Sequence, residues 1–333
     1  MEYDMTKTRR LILLLIAASA SHPTYAASEA PGTLSFVLEN DWFNGSDSHY
    51  TNGFSVGWVP GDAAPPPQWA VNLARLMPWF PQHGEVRHGY AFGQSTFVPS
   101  DITVADPPLT DRPYAGWLYA SLGLAADSGS TLDQFGVTVG VVGPASFAED
   151  TQKFFHEALG SDDPQGWDTQ LENEPGIVLT YQRSWRGPAT GDASGPRFDL
   201  IPHAGAALGN VYTYANAGVT LRYGKQLPND YGAPYVRQGL PAAARFSPAS
   251  DFGWYVFAGV EGRAVAQNIF LDGNTFRDSR SVDKKPFVGD LQFGFVLDWP
   301  DVRVSYTHVL RTREFRTQED NDGYGAVSVS LKF

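Results

Sequence analysis

The chain has 333 residues, with 36 acidic against 24 basic side chains, a formal net charge of -12 and no cysteine. An acidic balance without clustered Lys and Arg argues against nucleic acid as a partner, and the lack of thiols excludes disulfides, thiolate catalysis and cysteine-based zinc sites. The 34 Gly, 21 Phe, 15 Tyr and 9 Trp, with no long apolar segment, exclude helical membrane spans and favour short alternating strands.

The N-terminus reads as a secretory signal peptide: Lys7, Arg9 and Arg10 precede LILLLIAASA, and SHPTYAAS supplies small residues for cleavage after Ala26. Such a run is too short to span a bilayer, which takes about 20 apolar residues. The expected mature unit is a single domain, residues 27–333, whose net charge becomes -13 once three basic and two acidic residues are removed. Twelve period-two runs then follow, at 33–43, 51–59, 86–97, 115–126, 131–142, 174–185, 196–208, 211–224, 252–265, 288–299, 301–312 and 323–333. Each is long enough for a tilted strand to cross a membrane. The predicted fold class is therefore all-β, an antiparallel transmembrane β-barrel of 12 strands in the bacterial outer membrane. A periplasmic β-sandwich is the competing architecture. In the last run Val327, Val329, Leu331 and Phe333 share one face and Ala326, Ser328, Ser330 and Lys332 the other, which suits lipid outside and a polar lumen inside.

An even strand number puts both termini on the periplasmic side, so segments 44–50, 98–114, 143–173, 266–287 and 313–322 are extracellular. Segments 60–85 and 225–251 are long for periplasmic turns and keep ten or fourteen strands open. One extracellular segment has helical periodicity: residues 147–159, capped by Ser146 and ended by Gly160. PQWAVNLARLMPWF (67–80) predicts a second short helix on the periplasmic side.

Oxygen ligands gather at the end of the first run. Strict alternation puts Glu39 and Asp41 inward with Ser35 and Val37, while Asn40 points away unless a bulge turns it in; Trp42 and Phe43 suit an aromatic belt. Carboxylates with an amide oxygen suit a hard cation such as Ca²⁺, although lumen carboxylates also pair with Arg, and Asn-Asp also begins turns. His156, on the extracellular helix, is the histidine best placed for acid-base work, its alternative being a plain helix-surface residue. His49 falls in a loop, and His203 and His308 lie in strands without an obvious partner. The string GFSVG, Gly53 to Gly57, has G-x-S-x-G spacing but falls inside the strand run 51–59 and not at a strand-to-helix elbow, and no H-E-x-x-H helix is present. DRPYAGW, Asp111 to Trp117, reads as a structural entry to a strand.

Four blocks, ENDWFNGSDSHYTNG, DRPYAGWLYASLG, GPASFAEDTQKFFHEALG and PQGWDTQLENEPG, together resemble the outer-membrane lipid A deacylases of the LpxR type, in the family's order. The resemblance implies a carboxylic ester hydrolase that removes the 3′-linked acyloxyacyl group of lipid A. It implies Ca²⁺ as the cofactor that stabilises the oxyanion and a histidine that activates water, as in secreted phospholipases A2. It places the metal ligands on Asn40 and Asp41, the catalytic histidine on His156, and a further acidic ligand on Asp162 or Asp163. The family's lysine has no counterpart in the third-strand region GQSTFVPSDI, and Ser95 or Thr96 stands near its hydroxyl residue. The expected partners are lipopolysaccharide and outer-membrane lipids, met by a monomer. Arg112, Arg277, Arg311, Arg313 and Arg316 are candidates for the lipid A phosphates. A passive porin or structural barrel is one alternative, and a phospholipase with a serine nucleophile is another.

Overall fold

Side-chain alternation becomes a wall with two chemically different faces in the computed structural model, which describes residues 32–41, 49–61, 64–191, 195–228, 230–231 and 251–332. The expected signal peptide, the expected belt residues Trp42 and Phe43, and Phe333 lie outside these residues. Twelve long strands make the wall: β1 Thr33–Asn40, β2 His49–Val59, β3 Arg87–Val98, β4 Ala115–Asp127, β5 Thr131–Val142 and β6 Glu174–Trp185 in the first half. The second half adds β7 Arg197–Gly209, β8 Tyr212–Lys225, β9 Gly253–Asn268, β10 Phe287–Asp298, β11 Val302–Arg311 and β12 Asp322–Lys332. Every neighbour in sequence pairs antiparallel, and β1 pairs with β12 to close the barrel. The two-residue stretch Thr190–Gly191 only extends the β6–β7 connection by pairing with β7. Closure leaves no sheet edge unsatisfied, which is what hydrocarbon demands of a spanning sheet.

Phe198, Leu200, Leu221, Val256, Val260, Leu291, Phe293 and Phe295 are exposed on the outer face and form the lipid belt. Near the periplasmic strand ends, Trp58 stacks on Tyr90 with ring centroids 5.8 Å apart, and Trp185 and Trp299 are exposed, a girdle at the polar interface. Inward side chains fill the lumen. Tyr50, Phe97, Trp117, Tyr212, Phe270 and Tyr324 form one buried cluster drawn from around the circumference, with Phe97 and Phe270 stacked at 4.0 Å. Buried ion pairs occupy the rest. Arg303 reaches Asp298 at 2.6 Å and Asp230 at 2.5 Å, and Arg222 donates to Asp199 at 2.8 Å. Farther toward the extracellular end, Asp290 receives Arg311 and Arg263, both at 2.9 Å.

Among the described residues, the two long periplasmic connections add no long strand. Residues 66–86 include helix α1 (Gln68–Ala74), whose Ala70, Val71 and Ala74 pack with Phe80 and Val86 against Leu122, Leu124 and Phe135 on the outward side of β4 and β5. Asp230, from the other connection, reaches into the lumen to meet Arg222 and Arg303. Among the described residues, the twelve-strand count therefore stands.

Candidate active site

At the extracellular end of β3 the outward side chains change environment abruptly. Tyr90 and Phe92 are 37% and 49% exposed, whereas Gln94 and Thr96, on the same outward side, are 3% and 1% exposed. What covers them is helix α2, Ala148–Leu159, which follows the 3-10 turn Pro144–Ser146 and packs on β3 and β4. The entry of this helix rests on Gly116. A Cβ there would stand 2.0 Å from Ser146 Oγ and 2.3 Å from Ala148 Cβ, so only glycine admits the contact. Gln94 Nε2 donates to the Ser146 carbonyl at 2.6 Å and fixes the same point from β3. Because Trp117 points into the lumen cluster, its neighbour Gly116 faces outward, and α2 lies against the outer wall.

The helix is amphipathic toward that wall. Ala148, Gln152 and His156, one turn apart, are buried, while Lys153 pairs with Glu149 at 2.6 Å in the open. Gln152 accepts a 2.9 Å hydrogen bond from Trp167 Nε1, and Trp167 packs with Val98, Ile102, Tyr114 and Ala148. The expected cap differs from what is observed. Phe147 takes the N-cap position with φ 58°, and Ser146 Oγ instead donates to the Gly143 carbonyl at 2.6 Å, because the preceding 3-10 turn already uses Ser146. At the other end Gly160, with φ 65°, ends the helix as expected. Its left-handed turn brings Ser161 N–H to the His156 carbonyl at 2.9 Å and carries the chain back over the imidazole.

That return fixes the histidine. His156 is 7% exposed, and its Nδ1 lies 2.5 Å from the Asp162 carbonyl oxygen. A carbonyl only accepts, so Nδ1 carries the proton and Nε2 is the basic nitrogen. Asp162 and Asp163 are exposed, and the contact of Asp162 with His156 is made by its backbone carbonyl.

Of the cation candidates, Asn40 lies on the same outer row. Register pairs Asn40 with Asn52, Asn52 with Thr96, and Thr96 with Gly116, and all four face outward. No bulge interrupts β1; the one nearby is in β2, between Tyr50 and Asn52. Asn40 thus points away from the lumen, as alternation implies in the absence of a bulge, and the helix stands on that same outer side of the wall. Asp41, 2% exposed, accepts from Thr51 Oγ1 at 3.1 Å. Glu39 does turn inward, where Tyr50 donates to it at 2.6 Å. Of the two hydroxyl candidates, Thr96 is on the helix-covered side, while Ser95 pairs with Gly53 and Trp117 on the lumen side. The helix contacts β4 and β3, and its entry stands over the β4 end of the row that runs through Thr96 and Asn52 to Asn40.

Among the described residues, no three His, Asp or Glu side chains group as a metal site. The donors here are instead one carboxylate and amide oxygens. Asn52, 5% exposed, has its Oδ1 buried with no hydrogen-bond partner, as does Gln94 Oε1. Such a set fits Ca²⁺, which takes carboxylate and amide oxygens readily.

A family model described as outer membrane protein LpxR matches residues 11–333. The chain belongs to the LpxR family. Among solved structures, LpxR from Salmonella typhimurium superposes with a TM-score of 0.72 at 21% identity, covering 90% of this chain and 100% of that one. The β domain of the Bordetella autotransporter BrkA gives 0.45 at 9% identity, covering 92% and 100%. No curated protein sequence matches the chain. The LpxR family assignment and the closed barrel together place the chain in the outer membrane.

Other sequence candidates in this LpxR family barrel have structural roles. Arg112 is buried against Glu314 at 3.3 Å, and Arg311 is buried against Asp290, so both are spent inside the fold; Arg277, Arg313 and Arg316 remain exposed. His203 bonds Glu261 at 2.9 Å, a partner that β7 and β9 supply from far apart in sequence. His308 Nδ1 lies 3.2 Å from Tyr306 OH. His49, which opens β2, has partners from two other loops: Asp322 lies 2.5 Å from Nδ1, and Ser100 Oγ lies 3.3 Å from Nε2. This is a Ser-His-Asp order of contacts. Ser100, however, gives both its hydroxyl and its N–H to Asp111, at 2.7 and 2.8 Å, so its proton is directed to a carboxylate instead of the imidazole. The group ties extracellular loops together, and DRPYAGW supplies Asp111, Arg112 and Gly116 to that framework.

Proposed function

We propose that the protein is a Ca²⁺-dependent lipid A 3′-O-deacylase, which hydrolyses the ester of the 3′-linked acyloxyacyl group from the lipid side of the outer leaflet. The observation that carries this reading is the placement of a tautomer-fixed histidine on a helix outside the barrel wall, over buried polar residues at the extracellular rim. An ester in the outer leaflet can enter laterally between α2 and β1–β4 without passing through the lumen. His156 Nε2 takes a proton from water as that water attacks the ester carbonyl. The Asp162 carbonyl stabilises the resulting imidazolium through Nδ1–H. Protonated Nε2 then returns the proton to the leaving sugar oxygen, giving a free acid and an alcohol. Asn40 and Asp41 would hold Ca²⁺, which when bound supplies positive charge to the developing oxyanion. Gln152 and Trp167 hold the helix face, so His156 keeps its height over the wall.

The family membership supports this substrate class, and the filled lumen counts against a porin. The test is mass spectrometry of lipid A from Gram-negative cells expressing the chain, with and without a calcium chelator in the washed-membrane assay. Loss of one 3′ acyloxyacyl unit only with Ca²⁺ is expected. Unchanged lipid A in active membrane preparations contradicts the reading.

A serine hydrolase is a second reading, favoured by the contacts among Ser100, His49 and Asp322. It requires labelling of Ser100 by a fluorophosphonate and loss of activity in Ser100→Ala. The primary reading expects neither.

A further inference from the structure

We infer that Asn52 is a further ligand of the cation, presenting its Oδ1 to the ion held by Asn40 and Asp41. This rests on the reading above that Asn40 and Asp41 bind Ca²⁺. Three independent features of Asn52 converge. First, it is the direct cross-strand partner of Asn40, and both side chains leave the outer face, where opposed Cβ atoms stand about 4.5–5.5 Å apart. Two amide side chains at that distance can meet on one ion. Second, Asn52 is 5% exposed, and its Oδ1 has no hydrogen-bond partner. A buried acceptor without a donor is unfavourable, and native proteins seldom keep one unless an ion, water or ligand completes it. Third, Thr51 beside it holds Asp41 at 3.1 Å, and the register shift between Tyr50 and Asn52 marks a β-bulge. Bulges re-aim side chains beside active sites, and here the bulged Thr51, next to Asn52, donates its hydroxyl to the Asp41 carboxylate.

The chemistry of the set favours a cation over a substrate hydroxyl. An amide oxygen, a second amide oxygen and one carboxylate are all hard donors of the kind Ca²⁺ accepts in a flexible shell. Their summed charge is -1, so the bound ion keeps a net positive charge. A neutral third ligand therefore adds affinity without cancelling the field that the reaction uses at the ester oxygen. A carboxylate at position 52 would bind more tightly but leave a neutral centre. The sequence places the amide at the start of the strand run 51–59, and only the ladder reveals that it stands opposite Asn40.

Isothermal calorimetry with CaCl₂ on the purified full chain in detergent tests this, with heat-modifiable gel migration reporting the folded barrel. The wild type is expected to bind Ca²⁺, and Asp41→Asn to lose measurable binding. Asn52→Leu should weaken Kd by about tenfold or more, since one missing oxygen ligand costs on the order of 1.4 kcal/mol for each tenfold. Asn52→Asp should bind at least as tightly as the wild type while lowering kcat, because the extra charge neutralises the ion. If Asn52→Leu binds Ca²⁺ as the wild type does while Asp41→Asn does not, Asn52 is no ligand and the cation reading survives. If the folded wild type binds no Ca²⁺, both fall together. If Asn52→Asp loses binding as fully as Asn52→Leu, the amide serves packing and the inference fails.

Discussion

At Asp162 the contact to His156 Nδ1, at 2.5 Å, is made by the backbone carbonyl, and the side chain is exposed. Replacing that side chain leaves the hydrogen bond in place. Asp162→Asn and Asp163→Asn should therefore change kcat/KM by no more than about twofold, the range of an exposed substitution worth roughly 0.5 kcal/mol. A loss of a hundredfold in either variant, measured on detergent-solubilised lipid A, would make that carboxylate a ligand after all. The sequence advertises side chains, so a role carried by a carbonyl is invisible in it. Asn40 shows the opposite case. Alternation correctly gave its outward direction, but the sequence has no sign that the helix stands outside the wall, and so the residue looked misplaced.

At the scale of elements, the contact that matters most is the entry of α2 on β4. Gly116 leaves no room for a side chain against Ser146 and Ala148, which a Cβ would meet at 2.0 and 2.3 Å. Gly116→Val should push the helix from the wall and lower deacylation by about 100-fold, the cost of misplacing a catalytic group by roughly 1 Å. The barrel itself should still form, as heat-modifiable migration would report, because the ladder on both sides of β4 is unaffected. Wild-type activity in that variant would mean the helix does not position His156. The strands were legible because period two survives in most of them, as in β6, β9 and β11, and the extracellular helix because its charged and buried positions alternate at helical spacing. The two long periplasmic connections were ambiguous for a physical reason. One buries apolar residues on the outside of the wall, and the other sends Asp230 inside it, and neither pairing has a local signature.

At the scale of the whole molecule, the lumen is closed by packing and by charge. The aromatic cluster and the Arg222, Arg303, Arg263 and Arg311 pairs fill it, so the reconstituted barrel should give no conductance steps in planar bilayers. Steady porin-like steps would contradict that packing. The extracellular loops form a connected roof, with Arg112 bonded to Glu314 and Arg280 to Pro107. Burial alone would raise the Glu314 carboxyl, but Arg311, Arg112 and Arg263 outweigh it and hold the group below its ordinary value. A carboxyl depressed in the folded state adds stability above its unfolded pKa and loses it as pH falls from there through the folded value. The thermal midpoint of the wild type should thus drop more steeply on acidification below about pH 4.5 than that of Glu314→Gln, whose lower starting stability lacks this proton linkage. Parallel decline of the two proteins would show that Glu314 carries no such linkage.

Hydrolysis at the helix-covered outer wall depends on His156. Purified His156→Ala protein, matched to the wild type for folded barrel by heat-modifiable migration, is assayed on lipid A with Ca²⁺ and read by mass spectrometry. Its 3′ deacylation should fall by about 10² to 10⁴, the usual contribution of a general base. Release of the same acyloxyacyl unit at the wild-type rate would contradict that dependence.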